Sequence, residues 1–272
     1  MIVFPNAKIN LGLFVTGKRA DGYHNLETIM VPVPVYDILE VSAHAPDGFE
    51  FRSTGLAIQG SEDANLCVKA YRLMASGFGI RPVKIHLHKQ IPAGSGMGGG
   101  SADGAFTLTA LNRLFNCGLT AEDLEALALE LGSDCPFFIR NRPVVATGRG
   151  ELMEPVDNPI YGSYLIIAKP HFSISTAEAF RLIDPASPVL PLRGIPYLSA
   201  DRWPVFLRND FERVALKMHP EATRILQDFY ASGAWYASMT GSGSAFFGLF
   251  RTPPEAMPDE LKDIILFAGL IG

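Results

Sequence analysis

The sequence predicts an α+β protein, because segments with strand and helix patterns are mixed along the chain without a regular βα alternation. Residues 83–89 alternate polar and apolar side chains as a strand does, whereas residues 102–114 and 124–131 repeat apolar side chains at helical spacing. The chain has 272 residues, of which 48% are hydrophobic. This length and composition suit one large domain or two ordinary ones, each with a packed core.

The first half of the chain is expected to contain strands and helices in mixed order. Strands are predicted over residues 5–14 and 83–89, where polar and apolar residues alternate. Further strands are predicted within residues 26–41, which are rich in β-branched residues. Helices are predicted over residues 62–74, from 102 to about 116, and over 120–131. Thr120 and Asp123 have the spacing of a capping box, and Gly132 is suited to end the last of these helices.

The second half is expected to form a separate domain. A boundary after Asp157 divides the chain into residues 1–157 and 158–272, because a new strand starts soon after Pro159. Further strands are predicted over residues 144–151, 164–168 and 245–250, and further helices within 173–180, after Asn209, and from Pro220 to Gly233. Residues 184–204 are rich in proline and serine and are predicted to form a long loop.

Composition excludes several classes of protein. The net charge of −5 argues against a nucleic-acid-binding surface. The sequence has neither a signal segment at its start nor an apolar run of about 18 residues. We therefore expect a soluble cytoplasmic protein that does not enter a membrane. We also expect the protein to be a monomer or a weak homodimer. The cysteines at positions 67, 117 and 135 lack the spacing of a metal site, so we expect them to be reduced and packed.

The chain is organised around a glycine-rich loop at residues 92–102, Pro-Ala-Gly-Ser-Gly-Met-Gly-Gly-Gly-Ser-Ala. Five of these residues are glycines, and the loop lies between a predicted strand and a predicted helix. Glycine allows backbone N–H groups to approach a ligand closely. Because a helix N-terminus adds free N–H groups and the positive end of the helix dipole, the loop is expected to bind an anion.

Three other interpretations of the loop are weaker. A nucleotide-binding P-loop requires a lysine in the place taken here by Gly100 in Gly99-Gly100-Ser101. A dinucleotide-binding loop can be fitted to Gly94, Gly96 and Gly99, but it requires an acidic residue about 20 residues later at the end of a second strand. Residues 112–120 are predicted to form a helix end and a turn instead. A tight turn without a ligand would not justify the backbone entropy cost of five glycines.

The loop resembles the phosphate-binding loop of the GHMP small-molecule kinases. Four further segments resemble the 4-diphosphocytidyl-2-C-methyl-D-erythritol kinases within that group: Lys8-Ile-Asn-Leu11, Arg19-Ala-Asp-Gly-Tyr-His24, Leu131-Gly-Ser-Asp-Cys-Pro-Phe137 and Thr240-Gly-Ser-Gly243. These segments span nearly the whole chain. The sequence departs from the family at Ser95 and at Ala102-Asp103, where members often have another glycine and Ser-Asn. These departures preserve the backbone donors and leave the protein ligand of magnesium open.

The resemblance implies a fold and an activity. The fold would be a two-domain GHMP kinase, with an N-terminal domain like the second domain of ribosomal protein S5 and a ferredoxin-like C-terminal domain. The activity would be ATP-dependent phosphorylation of the 2-hydroxyl of 4-diphosphocytidyl-2-C-methyl-D-erythritol, a step of the non-mevalonate isoprenoid pathway, with Mg²⁺ as cofactor. The partner would be this small molecule, a cytidine diphosphate derivative of methylerythritol, rather than a nucleic acid.

The resemblance also implies roles for individual residues. Asp134 would be the general base, with Lys8 beside it. ATP would be bound by Asn65 and by the loop residues Pro92, Ala93, Gly94, Ser95, Gly96, Met97, Gly98, Gly99, Gly100, Ser101 and Ala102. The substrate would be bound by Asn10, Tyr23, His24 and Phe180. No residue is assigned to a metal, although Ser101 is a candidate near the magnesium ion.

Each of these residues also has a plainer interpretation from the residues alone. Lys8 could be a solvated strand residue, Asn65 a helix cap, and Asp134 a turn residue. Tyr23 and His24 could belong to an ordinary surface loop, Phe180 to the core, and the segment after Ser238 to a hairpin turn. His86 and His88 have the spacing of a metal-binding pair on a strand, but a solvated face is the preferred interpretation.

Two rival functions remain open. Another GHMP kinase, for homoserine or a mevalonate derivative, is the nearer one, and the Tyr23–His24 pair and Phe180 favour a cytidine substrate instead. A non-catalytic binding or regulatory protein with the same fold is the more distant one, and the presence of both Lys8 and Asp134 argues against it.

Overall fold

The structure, a computed structural model, describes residues 1–43, 45, 47–185 and 191–272. Its strands are β1 (Ile2–Val3), β2 (Asn6–Lys18), β3 (His24–Tyr36), β4 (Ile38–Ser42), β5 (Glu50–Gly55), β6 (Lys84–Lys89), β7 (Val144–Thr147), β8 (Leu152–Pro155), β9 (Tyr164–Ala168), β10 (Tyr236–Met239), β11 (Phe246–Phe250) and β12 (Ile265–Leu270). Its helices are α1 (Leu66–Phe78), α2 (Gly99–Phe115), α3 (Ala121–Leu131), α4 (Phe137–Arg140), α5 (Thr176–Arg181), α6 (Trp203–Phe206), α7 (Asp210–Met218), α8 (Ala222–Ala231) and α9 (Asp259–Lys262).

The chain divides into two compact units, each assembled from segments that are distant in sequence. Unit 1 comprises Met1–Lys8, Pro34–Ala93 and Gly98–Arg142. Unit 2 comprises Ile9–Val33, Gly94–Met97 and Pro143–Gly272. The glycine-rich loop contributes to both units. The domain boundary expected after Asp157 stays a prediction.

Unit 1 contains a four-stranded sheet in the order β1-β4-β6-β5. Strand β5 runs parallel to β6, and the other pairs are antiparallel. The buried face carries Leu39, Val41, Ile85 and Leu87, which join side chains of α1, α2 and α3 in one apolar core. The alternation expected for residues 83–89 is therefore confirmed in β6, because every second residue enters this core.

The other face of β6 carries the two histidines that have metal-binding spacing. Both are half-buried, and both meet the hydroxyl of Thr54 on β5, at 2.9 Å from His86 Nε2 and 3.0 Å from His88 Nδ1. In the described part of the chain, no group of three or more histidine, cysteine or acidic side chains is arranged to hold a metal ion. His86 and His88 therefore link β6 to its neighbour β5 through the Thr54 hydroxyl.

The end of α2 and both ends of α3 lie where the local sequence predicts them. Helix α2 starts after the left-handed Gly98 and ends at Asn116, whose φ of 52° terminates the helix. Helix α3 starts with a complete capping box between Thr120 and Asp123 and ends at Gly132. These ends place Asp134 in the turn between α3 and α4.

Unit 2 contains an antiparallel sheet in the order β10-β11-β9-β12. The strands follow each other as strand, helices, strand, strand, helix and strand, which is the succession of a ferredoxin-like fold. Helices α7 and α8 cover the sheet, and Phe211, Phe229, Phe246 and Phe250 lie in the core they share. Together with the sheet of unit 1, this confirms the predicted α+β class.

A third sheet has the order β2-β3-β7-β8. Its first strand was expected to have a polar side, but β2 is buried on both sides from Asn6 to Val15. Lys8 and Asn10 retain only 3% and 2% of their accessible surface. The interpretation of Lys8 as a solvated strand residue is therefore wrong. A buried lysine requires a partner for its charge.

Two segments differ from the sequence-based expectation. Within the loop predicted over residues 184–204, positions 186–190 lie outside the described residues, and the rest includes 3₁₀ helices at Leu192–Tyr197 and Ala200–Arg202, followed by α6. Prolines are tolerated in first helical turns, as Pro204 is in α6, so a proline-rich composition does not exclude short helices. The acidic residues Glu62 and Asp63 form a separate 3₁₀ turn rather than the start of α1.

No helix in the described ranges combines the length and apolar character that a membrane crossing requires.

Candidate active site

Three glycines of the glycine-rich loop have left-handed backbone conformations, and the third of them directly precedes α2. Gly94, Gly96 and Gly98 have φ angles of 65°, 78° and 72°, which residues with a Cβ rarely adopt. Gly98 is the N-cap of α2, so the first backbone N–H groups of the helix have no partner within the helix. The predicted arrangement of strand, glycine loop and helix is therefore present, with donors suited to an anion.

The glycines of the loop differ in how much space a Cβ atom would find beside them. A Cβ at Gly96 would lie 2.1 Å from the carbonyl oxygen of Thr240, and one at Gly98 would lie 3.0 Å from Phe138. A Cβ at Gly94 or Gly100 would meet no atom within 4 Å. Gly94 and Gly100 are therefore the two glycines of this group that leave free space beside the backbone of their own segment.

The remaining loop residues face different surroundings. Ser95, Met97 and Ala102 are buried, so they can offer a ligand only their backbone groups. Ser95 uses its carbonyl oxygen to accept a hydrogen bond from the Ala245 N–H at 3.0 Å. Pro92 and Ser101 are half-buried, and Ala93 is exposed.

Lys8 and Asp134 form an ion pair in unit 1. Lys8 Nζ lies 3.6 Å from Asp134 Oδ2, and the Asp134 side chain keeps 37% of its accessible surface while Lys8 is enclosed. Burial lowers the pKa of the Lys8 ammonium, and the neighbouring Asp134 opposes that shift. The arrangement presents an accessible carboxylate, as a general base requires, and a buried cation that keeps this carboxylate ionised and in place.

Cys135 follows Asp134 but is not suited to nucleophilic chemistry. Burial raises the pKa of its thiol to about 12, although a hydrogen bond with the Ser101 side chain opposes the shift. The thiol is therefore protonated at neutral pH, and only a thiolate is an effective nucleophile. The structure places Cys67 in the core as well, and Cys117 is half-buried.

A buried ionic cluster lies beneath the start of α2. Lys89 Nζ, at the end of β6, donates to Asp37 and, at 2.6 Å, to Asp103 Oδ2 in α2. Asp37 Oδ1 also accepts the Ile91 N–H at 2.9 Å. Burial acts to lower the pKa of Lys89, but the two carboxylates raise it above its ordinary value, so the lysine stays charged. The cluster joins β6 to the first turns of the helix that follows the glycine loop.

Sequence reasoning missed this cluster, although a signal was present. In the alternation of β6, Lys89 occupies the same face as Ile85 and Leu87 and is 4% exposed. A lysine at a core-facing position predicts a buried counterion. Asp37, which lies within the segment 26–41 where strands are predicted, was an available candidate.

Asn10 is held within unit 2 by two threonines. Its backbone N–H donates to Thr240 Oγ1 at 3.0 Å, and its side-chain amide donates to Thr28 Oγ1 at 3.0 Å. The Thr240 hydroxyl also lies 3.3 Å from the carbonyl oxygen of Gly96. The segment after Ser238 is indeed a hairpin connection between β10 and β11, yet it also contacts the predicted substrate residue Asn10 and the glycine loop.

His24 and Phe180 form a stacked aromatic pair in unit 2. Their ring centroids are 5.0 Å apart with an interplanar angle of 23°, and Phe180 also meets the edge of Phe211. Burial, with a smaller contribution from Lys18, lowers the pKa of His24. The imidazole is therefore neutral at pH 7 and can both donate and accept a hydrogen bond.

Tyr23 lies next to this pair in sequence and is 53% exposed. The guanidinium carbon of Arg149 lies 4.7 Å from the centre of the Tyr23 ring. Arg149 was not predicted, because no local pattern links it to the segment around Tyr23. The exposed ring and its adjacent cation are available to a planar or anionic ligand.

Asn65 caps a helix, as its plainer interpretation suggested. Its side-chain oxygen accepts the Cys67 N–H at 2.8 Å at the start of α1. This contact accounts for an asparagine at that position without a ligand. An additional contact with adenine stays a prediction.

The chain matches two family models. Residues 65–142 match the GHMP kinases N terminal domain, and residues 199–264 match the GHMP kinases C terminal domain. Among curated relatives, the 4-diphosphocytidyl-2-C-methyl-D-erythritol kinase of Parabacteroides distasonis is 46% identical over 270 residues, covering 99% of each chain. The protein of the same name from Porphyromonas gingivalis is 40% identical and covers 100% of each chain.

Solved structures agree with these matches. A crystal structure of 4-(cytidine 5'-diphospho)-2C-methyl-D-erythritol kinase superposes with a TM-score of 0.82 at 33% identity, covering 99% of this chain and 98% of the other. The mevalonate kinase of Methanococcus jannaschii superposes with a TM-score of 0.71 at 14% identity, covering 100% and 98%, which shows a shared fold only. The chain therefore belongs to the GHMP kinases and, within them, to the family of the 4-diphosphocytidyl-2-C-methyl-D-erythritol kinases.

Proposed function

We propose that the protein transfers the γ-phosphoryl group of ATP to the 2-hydroxyl of 4-diphosphocytidyl-2-C-methyl-D-erythritol, a reaction of the non-mevalonate isoprenoid pathway. The observation that carries this proposal is the likeness to kinases of that name along 99% of both chains. The accessible Asp134 carboxylate beside a buried lysine supports a catalytic rather than a regulatory protein. A cytoplasmic location fits this reaction and is part of the proposal.

Asp134 and Lys8 would carry the chemical step. The substrate hydroxyl oxygen attacks the γ-phosphorus, the bond from phosphorus to the bridging oxygen of ADP breaks, and the hydroxyl proton passes to Asp134. Lys8 would hold the carboxylate in place and offset the negative charge that gathers near it. Because Lys8 is buried, its side chain has little freedom to move, which favours a fixed distance between Lys8 and Asp134.

The glycine loop would hold the phosphates of ATP. The left-handed glycines expose backbone N–H groups, and the N-terminus of α2 adds its dipole. The absence of side-chain atoms at Gly94 and Gly100 leaves room for phosphate oxygens close to the backbone. The ionic cluster of Lys89, Asp37 and Asp103 would keep the helix start in position.

Mg²⁺ fits the donors that are present. The ion keeps several waters and needs only one or two protein oxygens in addition to phosphate oxygens. The Ser101 hydroxyl, half-buried in the first turn of α2, would supply one such oxygen. The ion would neutralise the phosphate charge and thus make the transfer easier.

The aromatic residues of unit 2 support a cytidine substrate over homoserine or a mevalonate derivative. The His24–Phe180 stack and the exposed Tyr23 ring provide flat surfaces for a pyrimidine. The neutral His24 imidazole can form hydrogen bonds with the polar atoms at the edge of the pyrimidine ring. Neither homoserine nor mevalonate has a ring that would use these surfaces. Asn10, held by Thr240 and Thr28, would contribute a polar contact.

The test is ATP turnover with Mg²⁺ and each candidate acceptor. We expect ADP formation only with the cytidyl substrate, and a loss of about 10²–10⁴-fold in kcat for Asp134→Asn. Turnover with homoserine or mevalonate in place of the cytidyl substrate would overturn the substrate assignment. Full activity of Asp134→Asn would remove the base but leave the kinase assignment.

A further inference from the structure

The hairpin connection between β10 and β11 is held by Asn209, the residue that begins α7. Asn209 is 2% exposed, and its side-chain Nδ2 donates to the backbone carbonyl oxygens of Met239 and Gly241, each at 2.8 Å. These two carbonyl groups belong to the residues on either side of Thr240. Asn209 therefore fixes the backbone around the residue whose hydroxyl contacts a predicted substrate residue and the phosphate loop.

Capping of α7 accounts for only one atom of the Asn209 side chain. Its Oδ1 accepts the Phe211 N–H at 3.0 Å, which is the contact that an N-cap residue makes. Serine and aspartate supply such an oxygen about as well as asparagine does. Among these three residue types, only asparagine adds an amide group with two N–H donors. The two hydrogen bonds to the hairpin therefore give the amide a role beyond the cap.

Glu212, in the first turn of α7, holds the strand that leads into the hairpin. One of its carboxylate oxygens, Oε1, accepts the Met239 N–H at 2.7 Å and the hydroxyl of Ser238. Met239 is thus bound through its N–H by Glu212 and through its carbonyl oxygen by Asn209. The start of α7 therefore fixes residues 238–241 by side-chain hydrogen bonds of both directions.

The hairpin meets the phosphate loop at two consecutive loop residues. The Ala245 N–H donates to the carbonyl oxygen of Ser95 at 3.0 Å, and the Thr240 hydroxyl lies 3.3 Å from the carbonyl oxygen of Gly96. A Cβ on Gly96 would lie 2.1 Å from the Thr240 carbonyl oxygen, so the two segments pack without space between them. A displacement of Thr240 would therefore also displace the backbone of Gly96.

Strand β2, which carries Asn10, is attached to the same helix start. The Leu13 N–H donates to the carbonyl oxygen of Arg208 at 2.9 Å, and the Val15 N–H donates to Asp210 Oδ2 at 2.9 Å. The residues that begin α7 therefore fix both partners of the hydrogen bond between Asn10 and Thr240.

We propose that Asn209 is a positioning residue for the phosphoryl transfer. Its amide holds the hairpin so that the Thr240 hydroxyl meets the Asn10 N–H and the Gly96 backbone packs against Thr240, which keeps a substrate residue and part of the phosphate loop in place. This inference rests on the proposed function, because it assigns Asn209 to the same reaction.

The variant Asn209→Ser tests the amide. Serine keeps an oxygen that can cap α7 but is too short to reach the two carbonyl groups, so we expect kcat/KM for the cytidyl substrate to fall by at least about tenfold. Ile225→Ala is the control for lost stability, because Ile225 lies in α8 within the core of unit 2 and has no part in the proposed reaction. This control should lower the melting temperature at least as much and leave kcat/KM unchanged.

A double-mutant cycle shows whether Asn209 acts through Thr240. In a Thr240→Val background, we expect Asn209→Ser to lower kcat/KM by less than about twofold, because the contact that the amide supports is already lost. The full tenfold loss in that background would show independent action and would overturn the proposal.

Hydrogen exchange of the Asn10 N–H, followed by NMR, gives a readout that does not need turnover. We expect Asn209→Ser to accelerate this exchange more than that of the amides of β9, an inner strand of the unit 2 sheet. Unchanged exchange at Asn10, or unchanged kcat/KM in an active enzyme, overturns the inference. Absence of turnover in the wild type would instead overturn the proposed function, and the exchange rates would still decide whether Asn209 holds Thr240.

Discussion

The backbone N–H of Asn10 donates a hydrogen bond to the hydroxyl of Thr240 over 3.0 Å. The same hydroxyl lies 3.3 Å from the carbonyl oxygen of Gly96, and a Cβ on Gly96 would collide with the Thr240 backbone. One side chain from the hairpin after β10 therefore contacts both a predicted substrate residue and the phosphate loop. The collision with the Thr240 backbone and the left-handed φ of 78° explain why Gly96 is a glycine.

Replacing Thr240 by valine tests this connection. Thr240→Val keeps the shape but removes the acceptor of the buried Asn10 N–H, so we expect a loss of about 1–3 kcal/mol in the free energy of unfolding. We also expect a lower kcat/KM for the cytidyl substrate, measured by ADP release. Thr240→Ser keeps the hydroxyl and should retain most of both properties. Equal behaviour of the two variants would show that the hydroxyl has no role.

Replacing Lys8 by methionine tests the ion pair with Asp134. Met fills a similar volume without the charge, so we expect the melting temperature to hold while kcat falls by about 10²-fold or more. KM values should change little, because Lys8 is expected to act on Asp134 rather than on a substrate. A raised KM for ATP at unchanged kcat would instead assign Lys8 to phosphate binding.

Replacing Lys89 by methionine tests the ionic cluster beneath α2. The change leaves Asp37 and Asp103 buried side by side without a cation, and breaking such a buried pair costs about 3–5 kcal/mol in the free energy of unfolding. Lys84→Met is the matched control on the same strand, because Lys84 pairs with Glu50 at the surface. Chemical denaturation should separate the two variants clearly, and a similar small effect in both would contradict the structural role of the cluster.

Replacing Gly100 by alanine tests the free space beside this glycine of the phosphate loop. A Cβ there meets no protein atom within 4 Å, and alanine favours a helix over glycine by up to about 1 kcal/mol. We therefore expect unchanged or higher stability together with a raised KM for ATP. Gly77→Ala in α1 is the control, since its Cβ also meets no atom and it should gain stability without any change in KM. An unchanged KM for Gly100→Ala would place the phosphates elsewhere.

The lowered pKa of His24 predicts how substrate binding depends on pH. Because burial and Lys18 keep this pKa below the ordinary value of 6.5, the imidazole is neutral at pH 7 and takes up a proton only in more acidic solution. We expect the KM for the cytidyl substrate to be flat near neutral pH and to rise below pH 6.5. His24→Gln should remove this rise. An NMR titration of the His24 ring that gave a pKa above 6.5 would refute the prediction.

Local features of the chain were predictable because their causes are local. The left-handed glycines, the capping box of Thr120 and Asp123, and the ends of α2 follow from backbone sterics and from hydrogen bonds between near neighbours. The same reasoning placed Asp134 in a turn after Gly132. Short helices at residues 191–206 were missed because proline and serine are compatible with both loops and first helical turns.

The amino-acid sequence was sufficient to predict the α+β class, the loop that opens α2 and, through family resemblance, the candidate residues. The packed chain was needed to show that Lys8 is enclosed beside Asp134, that Lys89 lies between two carboxylates, and that the His24 ring stacks on Phe180. The physical reason is that hydrogen-bonding and helix-forming tendencies act over a few residues and are visible in a sequence window. Burial, charge pairing and ring stacking join residues from distant segments, so they exist only once the chain has packed.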